Sequence, residues 1–280
     1  MSSATPTLDS PSFEYVRKLV HDNSAIALEQ DKGYLVESRL SPLARQMGLR
    51  SLHELVCQLR SKPFGDLHVQ VVEAMTTNET SFFRDVHPFE ALKKDVLPPL
   101  LAARSAKKAL TIWSAACSSG QEPYTIAILL REHFPQLKNW DVQIYASDLS
   151  QQMVERAQTG VYSQHEVNRG LPATLLIKHF QKTGLQWQIN PDLRGLLRFA
   201  RINLIKPWPH LPTVDVVFLR NVLIYFNAET KRQMLEKIRR QLAPDGALFL
   251  GGAETTLGID SSWQRVDHGK TATYRIAPKS

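Results

Sequence analysis

Through the first 75 residues apolar positions recur at helical spacing, and no stretch alternates as a strand would. Phe13, Val16, Leu19 and Val20 form one stripe, and Leu35, Leu40, Leu43 and Met47 form a second. Ser51 and Glu54 make an S-x-x-E capping box at the start of a third helix, whose apolar face is Leu52, Leu55, Val56 and Leu59. Such a box satisfies amide groups that a helix start otherwise leaves unpaired. Pro63 ends that helix, and Asp66 is positioned to cap a fourth, which carries Leu67, Val71, Val72 and Met75. The pattern predicts a small all-α N-terminal domain over residues 1–75.

From residue 109 the period changes. The runs at 109–116, 142–148, 214–221 and 247–254 are near-continuously apolar, and helical patterns at 123–134, 150–158 and 228–243 alternate with them. Strands buried on both faces and separated by helices predict a parallel sheet covered on both sides. Pro244-Asp245-Gly246 reads as the turn closing the last of these helices. Residues 160–200 break the alternation: LQWQI and LLRFARI, flanked by glycines and an Asn-Pro pair, read as short strands of an inserted antiparallel element. The expected organisation is therefore a helical domain (1–75), an interdomain segment (76–88) and an α/β domain (89–280) with a β-subdomain inserted at about 160–200.

Composition narrows the class. The 280 residues are 43% hydrophobic and 22% charged, ordinary values for a folded chain, and no apolar run is long enough to cross a membrane. The opening MSSATPTLDSP lacks the basic-then-apolar pattern of a secretory signal. Cys57 and Cys117 stand alone, and the nine histidines include no HExxH spacing. A cytoplasmic protein without membrane insertion and without a metal is expected. The net charge of +7 is unevenly spread: residues 1–86 hold nine basic against eleven acidic side chains, and the remainder twenty-five against sixteen. With no run of five basic residues, this surface suits an acidic partner of any kind and does not by itself select nucleic acid. No heptad repeat for dimerisation is present, and a monomer is expected.

Candidate chemistry lies where the predicted strands end, because ligands of open α/β sheets bind at the carboxyl ends of the strands. The loop Ala116-Cys117-Ser118-Ser119-Gly120-Gln121-Glu122 is rich in small residues but lacks both GxGxxG and the Gly-Lys-Ser/Thr of a P-loop. Glu122 at a helix start complements the helix dipole, its ordinary structural use, yet it repels phosphate and suits an ammonium or sulfonium. Asp148, at the end of the second strand, either caps the following helix or takes both hydroxyls of a ribose. Together the two acids suggest a nucleoside with a cationic tail and no phosphate, a description S-adenosylmethionine satisfies. By composition alone the segment from Thr76 to Asp85 reads as an interdomain linker with a helix cap, and Tyr225 as either a core aromatic or a site residue.

The strings TTNETSFFRD, WSAACSSGQEPYTIA, ASDLS, FARINL and FLRNVLIYF, in that order, closely resemble the CheR family of S-adenosylmethionine-dependent methyltransferases. These enzymes esterify glutamate side chains of bacterial chemoreceptors. The resemblance spans essentially the whole chain. It implies a Rossmann-like class I methyltransferase domain with an inserted antiparallel β-subdomain, preceded by the small helical domain. It also implies S-adenosyl-L-methionine as methyl donor, S-adenosyl-L-homocysteine as product, and no metal. Carried over residue by residue, it assigns Asn78, Thr80 and Arg84 to the methionine part, Glu122 to its amino group and Asp148 to the ribose. It likewise places Asn203 and Leu204 near the adenine and has Arg220 and Asn221 complete the pocket. The resemblance also implies that Arg84 and Tyr225 are the side chains nearest methyl transfer.

The resemblance further implies that Arg39, Arg45 and Arg50 meet the cytoplasmic methylation helices of chemoreceptors, and that the protein is recruited to receptor arrays. In the insertion the chain departs from relatives that dock a receptor's tail peptide. Only Lys182-Thr183-Gly184-Leu185-Gln186 stands where those carry a longer Gly-rich loop, so action independent of a tail tether is expected. Two other readings remain open at this point: a non-catalytic module that binds the cofactor or its product and docks to a receptor, and a nucleic-acid methyltransferase. The second lacks an N/D-P-P-Y/F motif and an aromatic basic groove.

Overall fold

The computed structural model describes residues 8–278. Contacts divide the chain into two units, Met1–Thr77 with Tyr225–Thr230, and Asn78–Ile224 with Lys231–Ser280. The first unit is helical: α1 (Ser10–Ser24), α2 (Gly33–Gln46), α3 (Leu52–Ser61) and α4 (Asp66–Ala74). Its core gathers the expected stripes, with Val16, Val20, Leu40, Leu55, Leu59, Val71 and Met75 all buried. The Ser51 hydroxyl accepts from the Glu54 amide at 3.2 Å, but the Glu54 carboxylate takes the Arg50 amide at 2.9 Å instead of closing the box on Ser51. Two further local expectations change. Met47 falls beyond the end of α2 and is 39% exposed. Asp66 is the first helical residue rather than the cap, which is Gly65. The buried His68 ring does the work expected of Asp66, accepting the Gly65 amide on Nδ1 at 3.2 Å; its Nε2 lies 3.0 Å from the Leu59 carbonyl and donates to it.

The second unit is built on a seven-stranded sheet. Its strands are β1 (Ala109–Ala115), β2 (Asp141–Asp148), β6 (Leu197–Arg201), β7 (Val214–Leu219), β8 (Leu242–Leu250), β9 (Trp263–His268) and β10 (Thr271–Ile276). Their order is β6-β2-β1-β7-β8-β10-β9, with β10 antiparallel to both neighbours and the other pairings parallel. Before the sheet come α5 (His87–Ala91), one π turn and α6 (Leu97–Ala103); α7 (Gln121–His133), α8 (Gln151–Thr159) and α12 (Ala228–Gln241) follow β1, β2 and β7. Every residue of β7 is buried, as a central strand covered on both faces requires. No helix among the described residues is long and apolar enough to cross a membrane.

Between β2 and β6 the chain forms a separate three-stranded antiparallel sheet, β3-β5-β4, from β3 (Val161–Ser163), β4 (Phe180–Thr183) and β5 (Gln186–Ile189). Short helices α9 (Gln164–Asn168), α10 (Ala173–His179) and α11 (Pro191–Arg194) accompany it. The β4–β5 pair turns through Gly184 and Leu185 alone.

Two strand expectations are corrected. The run LLRFARI is not part of the insertion: Leu197–Arg201 is β6, the edge strand parallel to β2. Pro244-Asp245-Gly246 is no turn, because β8 runs through it with a register shift against β7 between Val214 and Val216. Proline tolerates such a bulge, where no ladder amide is needed. Near the start of β7, Arg104 fastens this irregularity, donating to Asp215 at 3.0 Å and, through both terminal nitrogens, to Asp245 at 2.8 and 2.6 Å.

Candidate functional site

Chain order reverses between β1 and β7, since β2 and β6 lie on one side of β1 and β7 and β8 on the other. That switch point opens a crevice at the carboxyl ends of the strands. The loop leaving β1 there is held in an unusual backbone: Ala116, Ser118 and Gly120 have φ of 62°, 49° and 94°. Left-handed non-glycine residues are uncommon and concentrate where surroundings over-determine them. The determinants are visible. The Cys117 amide donates to the Ser147 carbonyl at 2.8 Å, and the Ser118 amide to Asp148 Oδ2 at 2.8 Å. The Ser118 hydroxyl donates to the Asn78 carbonyl at 2.8 Å.

Asp148 is buried, and its Oδ1 accepts the Ser150 amide at 2.9 Å. The cap of α8 is Ser150, whose hydroxyl accepts the Met153 amide. The capping role weighed for Asp148 therefore belongs to its neighbour, and the aspartate is oriented by backbone donors on each oxygen. Gly120 is confined as well as left-handed. A Cβ there would stand 2.9 Å from Ala157 Cβ and 3.0 Å from the Tyr162 hydroxyl. That hydroxyl, on β3 of the inserted sheet, donates to the Ser119 carbonyl at 2.9 Å.

Glu122 opens the first turn of α7, and Arg220 follows β7 directly. Arg220 Nη1 donates to Glu122 Oε2 at 3.0 Å, and the Ser114 hydroxyl donates to Oε1 at 2.8 Å. Arg220 Nη2 reaches Asp85 Oδ2 at 2.6 Å and the Arg84 carbonyl at 3.0 Å. The side chain of Arg220 is only 2% exposed, and its guanidinium lies 5.6 Å from the Phe89 ring centroid. Its Nε is buried without a hydrogen-bond partner among the described residues. Arg84 donates to the Glu79 carbonyl at 2.8 Å, and Glu79 pairs with Arg169 at 3.1 Å. Around Arg84 the residues Phe83, Asp85 and Val86 all have positive φ, 49°, 67° and 49°. Phe82, fully buried against Tyr162 and Phe180, anchors that strained segment.

Asn203 and the buried Leu204 follow β6. The side-chain oxygen of Asn203 accepts the Ile205 amide at 3.1 Å, and the Leu204 carbonyl accepts from Trp208 Nε1 at 3.0 Å and Lys237 Nζ at 2.8 Å. Lys237 also sits 4.3 Å from the Trp208 ring centroid, and burial lowers its pKa. Asn221 is left-handed at φ 59°. Thr80 is half-buried. Asn78, Thr80, Arg84, Glu122, Asp148, Asn203, Leu204, Arg220 and Asn221 thus all belong to the sheet-bearing unit, and direct bonds link the neighbourhoods of Asn78 with Asp148 and of Arg84 with Glu122.

Tyr225 belongs to the other unit, where its carbonyl accepts the Ala27 amide at 3.2 Å. So do the three arginines. Arg39 is committed to the end of α4, donating to the Thr76 carbonyl at 2.9 Å and the Thr77 hydroxyl at 2.8 Å, whereas Arg45 and Arg50 are exposed.

Two residues of the site were not singled out by sequence. Asp85 had only its place in the TTNETSFFRD string to point to it. Glu254, after β8, carried no pattern at all; it is buried and accepts backbone amides of the turn holding Asn221. The Cys117 thiol is buried in the β1 loop, and burial, with the Asp148 and Glu122 carboxylates beside it, pushes its pKa well up. It is a packing group and not a nucleophile.

Chemically, the donor set offers two carboxylates at adjacent strand ends, a loop that admits close backbone approach, and no lysine or glycine-rich amide cradle for phosphate. Such a set is chemically suited to a vicinal diol and an ammonium, both of which S-adenosylmethionine carries.

Comparison with known proteins bears on the same residues. Residues 78–272 match the family model described as CheR methyltransferase, SAM binding domain, and residues 11–76 match that described as CheR methyltransferase, all-alpha domain. The chain is similar to "Chemotaxis protein methyltransferase Cher2" of Pseudomonas putida, with 42% identity over 268 residues covering 94% of this chain and 97% of the relative. It is equally similar, at 42% over 268 residues with the same coverage, to "Chemotaxis protein methyltransferase 1" of Pseudomonas aeruginosa. A "Chemotaxis protein methyltransferase" of Vibrio parahaemolyticus is 34% identical over 273 residues, covering 96% of this chain and 98% of that one.

Proposed function

The chain belongs to the CheR methyltransferase family, and from that premise we propose how its residues divide the work of carrying a methyl group from S-adenosylmethionine to glutamate side chains of bacterial chemoreceptors. The observation that supports the division best is the pair of acids, Glu122 and Asp148, on either side of a loop too tight for a side chain at Gly120.

When bound, S-adenosylmethionine supplies an electrophilic methyl carbon on a sulfonium. Asp148, oriented by the Ser118 and Ser150 amides, accepts from the ribose hydroxyls. Glu122 accepts from the amino group. Its charge is already shared with Arg220, so the carboxylate is fixed in direction before the ligand arrives. Asn203 and Leu204 flank the adenine, and Asn78 and Thr80 meet the methionine end together with Arg220 and Asn221.

The attacking glutamate needs no general base. A carboxylate with an unperturbed pKa of about 4.3 is ionised near neutrality and carries its own electron pair. Arg84 orients carboxylate groups through charge-assisted hydrogen bonds, and the Tyr225 hydroxyl steers the nucleophile. Alignment and exclusion of water then supply the rate enhancement.

For partner recognition, Arg45 and Arg50 are the arginines left exposed to meet an acidic methylation helix, while Arg39 serves the helical unit itself. The β4–β5 turn of two residues supports action without a tail-peptide tether. The protein works as a monomer on the cytoplasmic face of receptor arrays.

The test is transfer of a radiolabelled methyl group from S-adenosylmethionine to receptor-containing membranes, followed by mild base. Label in receptor protein that is released as methanol is expected. Tight binding of S-adenosylhomocysteine with no label on any receptor would replace the reading with a docking module. Within the same assay Arg84→Ala is expected to lower turnover by more than tenfold in a folded protein; unchanged turnover removes Arg84 from the mechanism.

A further inference from the structure

The turn that follows β7 carries Arg220 and Asn221, yet it has no secondary structure of its own until Leu223. Its backbone is instead organised by one carboxylate from elsewhere in the chain. Glu254 is 8% exposed and accepts four backbone amides. On Oε2 these are Asn221 at 2.8 Å and Gly251 at 2.6 Å. On Oε1 they are Val222 at 2.7 Å and Ile224 at 3.2 Å. Three donors within four residues of one turn, Asn221, Val222 and Ile224, thus converge on a single side chain. A fourth, from the carboxyl end of β8, locks the turn to the sheet.

The packing leaves no slack. A Cβ on Gly251 would lie 2.7 Å from Glu254 Oε2 and 2.8 Å from the Asn221 amide nitrogen. Asn221 itself is left-handed, a conformation the convergence of amides imposes. A turn held open in this way needs an acceptor at its centre, because buried unpaired amides are costly. Without that acceptor the turn must rearrange, and Arg220 moves with it. Arg220 bonds both Glu122 and Asp85, so its displacement removes this partner of Glu122 Oε2 and leaves that carboxylate held through Oε1 by the Ser114 hydroxyl.

We propose that Glu254 is a positioning residue for the cofactor site: its carboxylate fixes the turn after β7 and, through Arg220, the direction of Glu122. The proposal rests on the reading of Glu122 and Arg220 as cofactor-pocket residues. It involves no contact between Glu254 and the ligand.

The chemistry predicts an unusually sharp difference between two near-isosteric side chains. A carboxylate only accepts, whereas an amide presents one oxygen and one NH2. Because each oxygen of Glu254 serves two donors, glutamine set either way round turns an NH2 toward two amides. Rotating the amide cannot rescue it. Aspartate retains two accepting oxygens on a stem shorter by one methylene.

The experiment compares wild type, Glu254→Gln, Glu254→Asp and Arg104→Met by calorimetric titration with S-adenosylhomocysteine, by the S-adenosylmethionine dependence of methyl transfer, and by thermal melting. Arg104→Met is the control for general destabilisation, since it loosens the sheet near the start of β7 and has no bond to the site. Glu254→Gln is expected to weaken binding of the product at least tenfold and to raise KM for the donor in parallel. Glu254→Asp should recover part of that loss, and Arg104→Met should lower the melting temperature with affinity unchanged. Should Glu254→Gln fail to fold, the affinity of Glu254→Asp carries the test, with a loss of at least threefold expected. Wild-type affinity in the glutamate variants, or a loss no larger than that of Arg104→Met, overturns the proposal. Failure of the wild type itself to bind S-adenosylhomocysteine instead overturns the pocket reading beneath it.

Discussion

Replacing Gly120 by alanine adds a single methyl group, and its cost can be worked from the surroundings. The residue sits at φ 94°, where an L side chain is strained by about 1–2 kcal/mol. The new Cβ meets Ala157 Cβ at 2.9 Å, the Tyr162 hydroxyl at 3.0 Å and Ala157 Cα at 3.2 Å. Ala157 is on α8 and cannot swing away, so the overpacking adds about 1–3 kcal/mol. A total of about 2–5 kcal/mol corresponds, for an unfolding unit of this size, to a melting temperature lower by roughly 10 °C. The loop can escape part of the collision only by withdrawing from α8, which carries the Ser118 amide away from Asp148. Affinity for S-adenosylhomocysteine is therefore expected to fall by more than tenfold alongside the melting temperature.

A double-mutant cycle locates the collision. Tyr162→Phe alone loses the hydrogen bond to the Ser119 carbonyl, worth about 1 kcal/mol, but in the alanine background it also removes a clashing oxygen. The double variant should therefore melt higher than the two single losses predict. Thermal unfolding followed by circular dichroism and calorimetric titration read both quantities. A Gly120→Ala protein that melts within about 2 °C of wild type and binds product normally would refute the reasoning.

Three further outcomes are expected. Asp148→Asn keeps the shape but sets an NH2 against one of two backbone amides; product affinity should drop by about ten- to a hundredfold, and unaltered binding would leave Asp148 a purely structural group. A thiol reagent should label Cys57 alone in the native protein and both cysteines after unfolding, because Cys117 is buried with a raised pKa; rapid native labelling at Cys117 would contradict the loop geometry. The Glu132 carboxylate is held below its ordinary value by Lys178, with His179 adding to the effect. A lowered carboxyl pKa contributes stability above the unfolded value of about 4.3 and loses it as pH falls through the folded one. Urea midpoints of wild type and Glu132→Gln should thus differ at pH 7 and draw together as pH falls below about 4.3, and a constant gap would count against the pairing.

What the sequence disclosed follows from how local each signal is. β1, β2, β7 and β8 were legible because strands buried on both faces are written as apolar runs with small-residue loops after them. β9 and β10 were not, since only Trp263, Thr273 and Tyr274 among them are buried and their remaining positions are mixed. α5 and α6 were hidden by Pro88, Pro98 and Pro99 at their starts and by the π turn between them. β6 looked like part of the insertion because its own flanks, Gly195 and the segment beyond Arg201, resemble loop on both sides; only pairing with β2 assigns it to the main sheet. In the site, Glu122 and Asp148 could be chosen from their places at strand ends. Glu254 could not, because its meaning lies in four amides that come from Gly251 and from a turn about thirty residues earlier, and no periodicity records such a convergence.

The pairing of β1 with β7 has a kinetic consequence. Ile112 lies beside Val216, so the two strands that flank the switch point are about 100 residues apart in the chain, with β2, the whole insertion and β6 between them. During synthesis β1 and β2 can meet early, but one edge of β1 stays open until β7 has emerged. Contacts of such sequence separation form slowly, and an apolar strand with an unpaired edge recruits other chains. A chain that stops at β6 should therefore be aggregation-prone by itself, and assembly of the crevice should be among the last events of folding, after the inserted sheet is already complete.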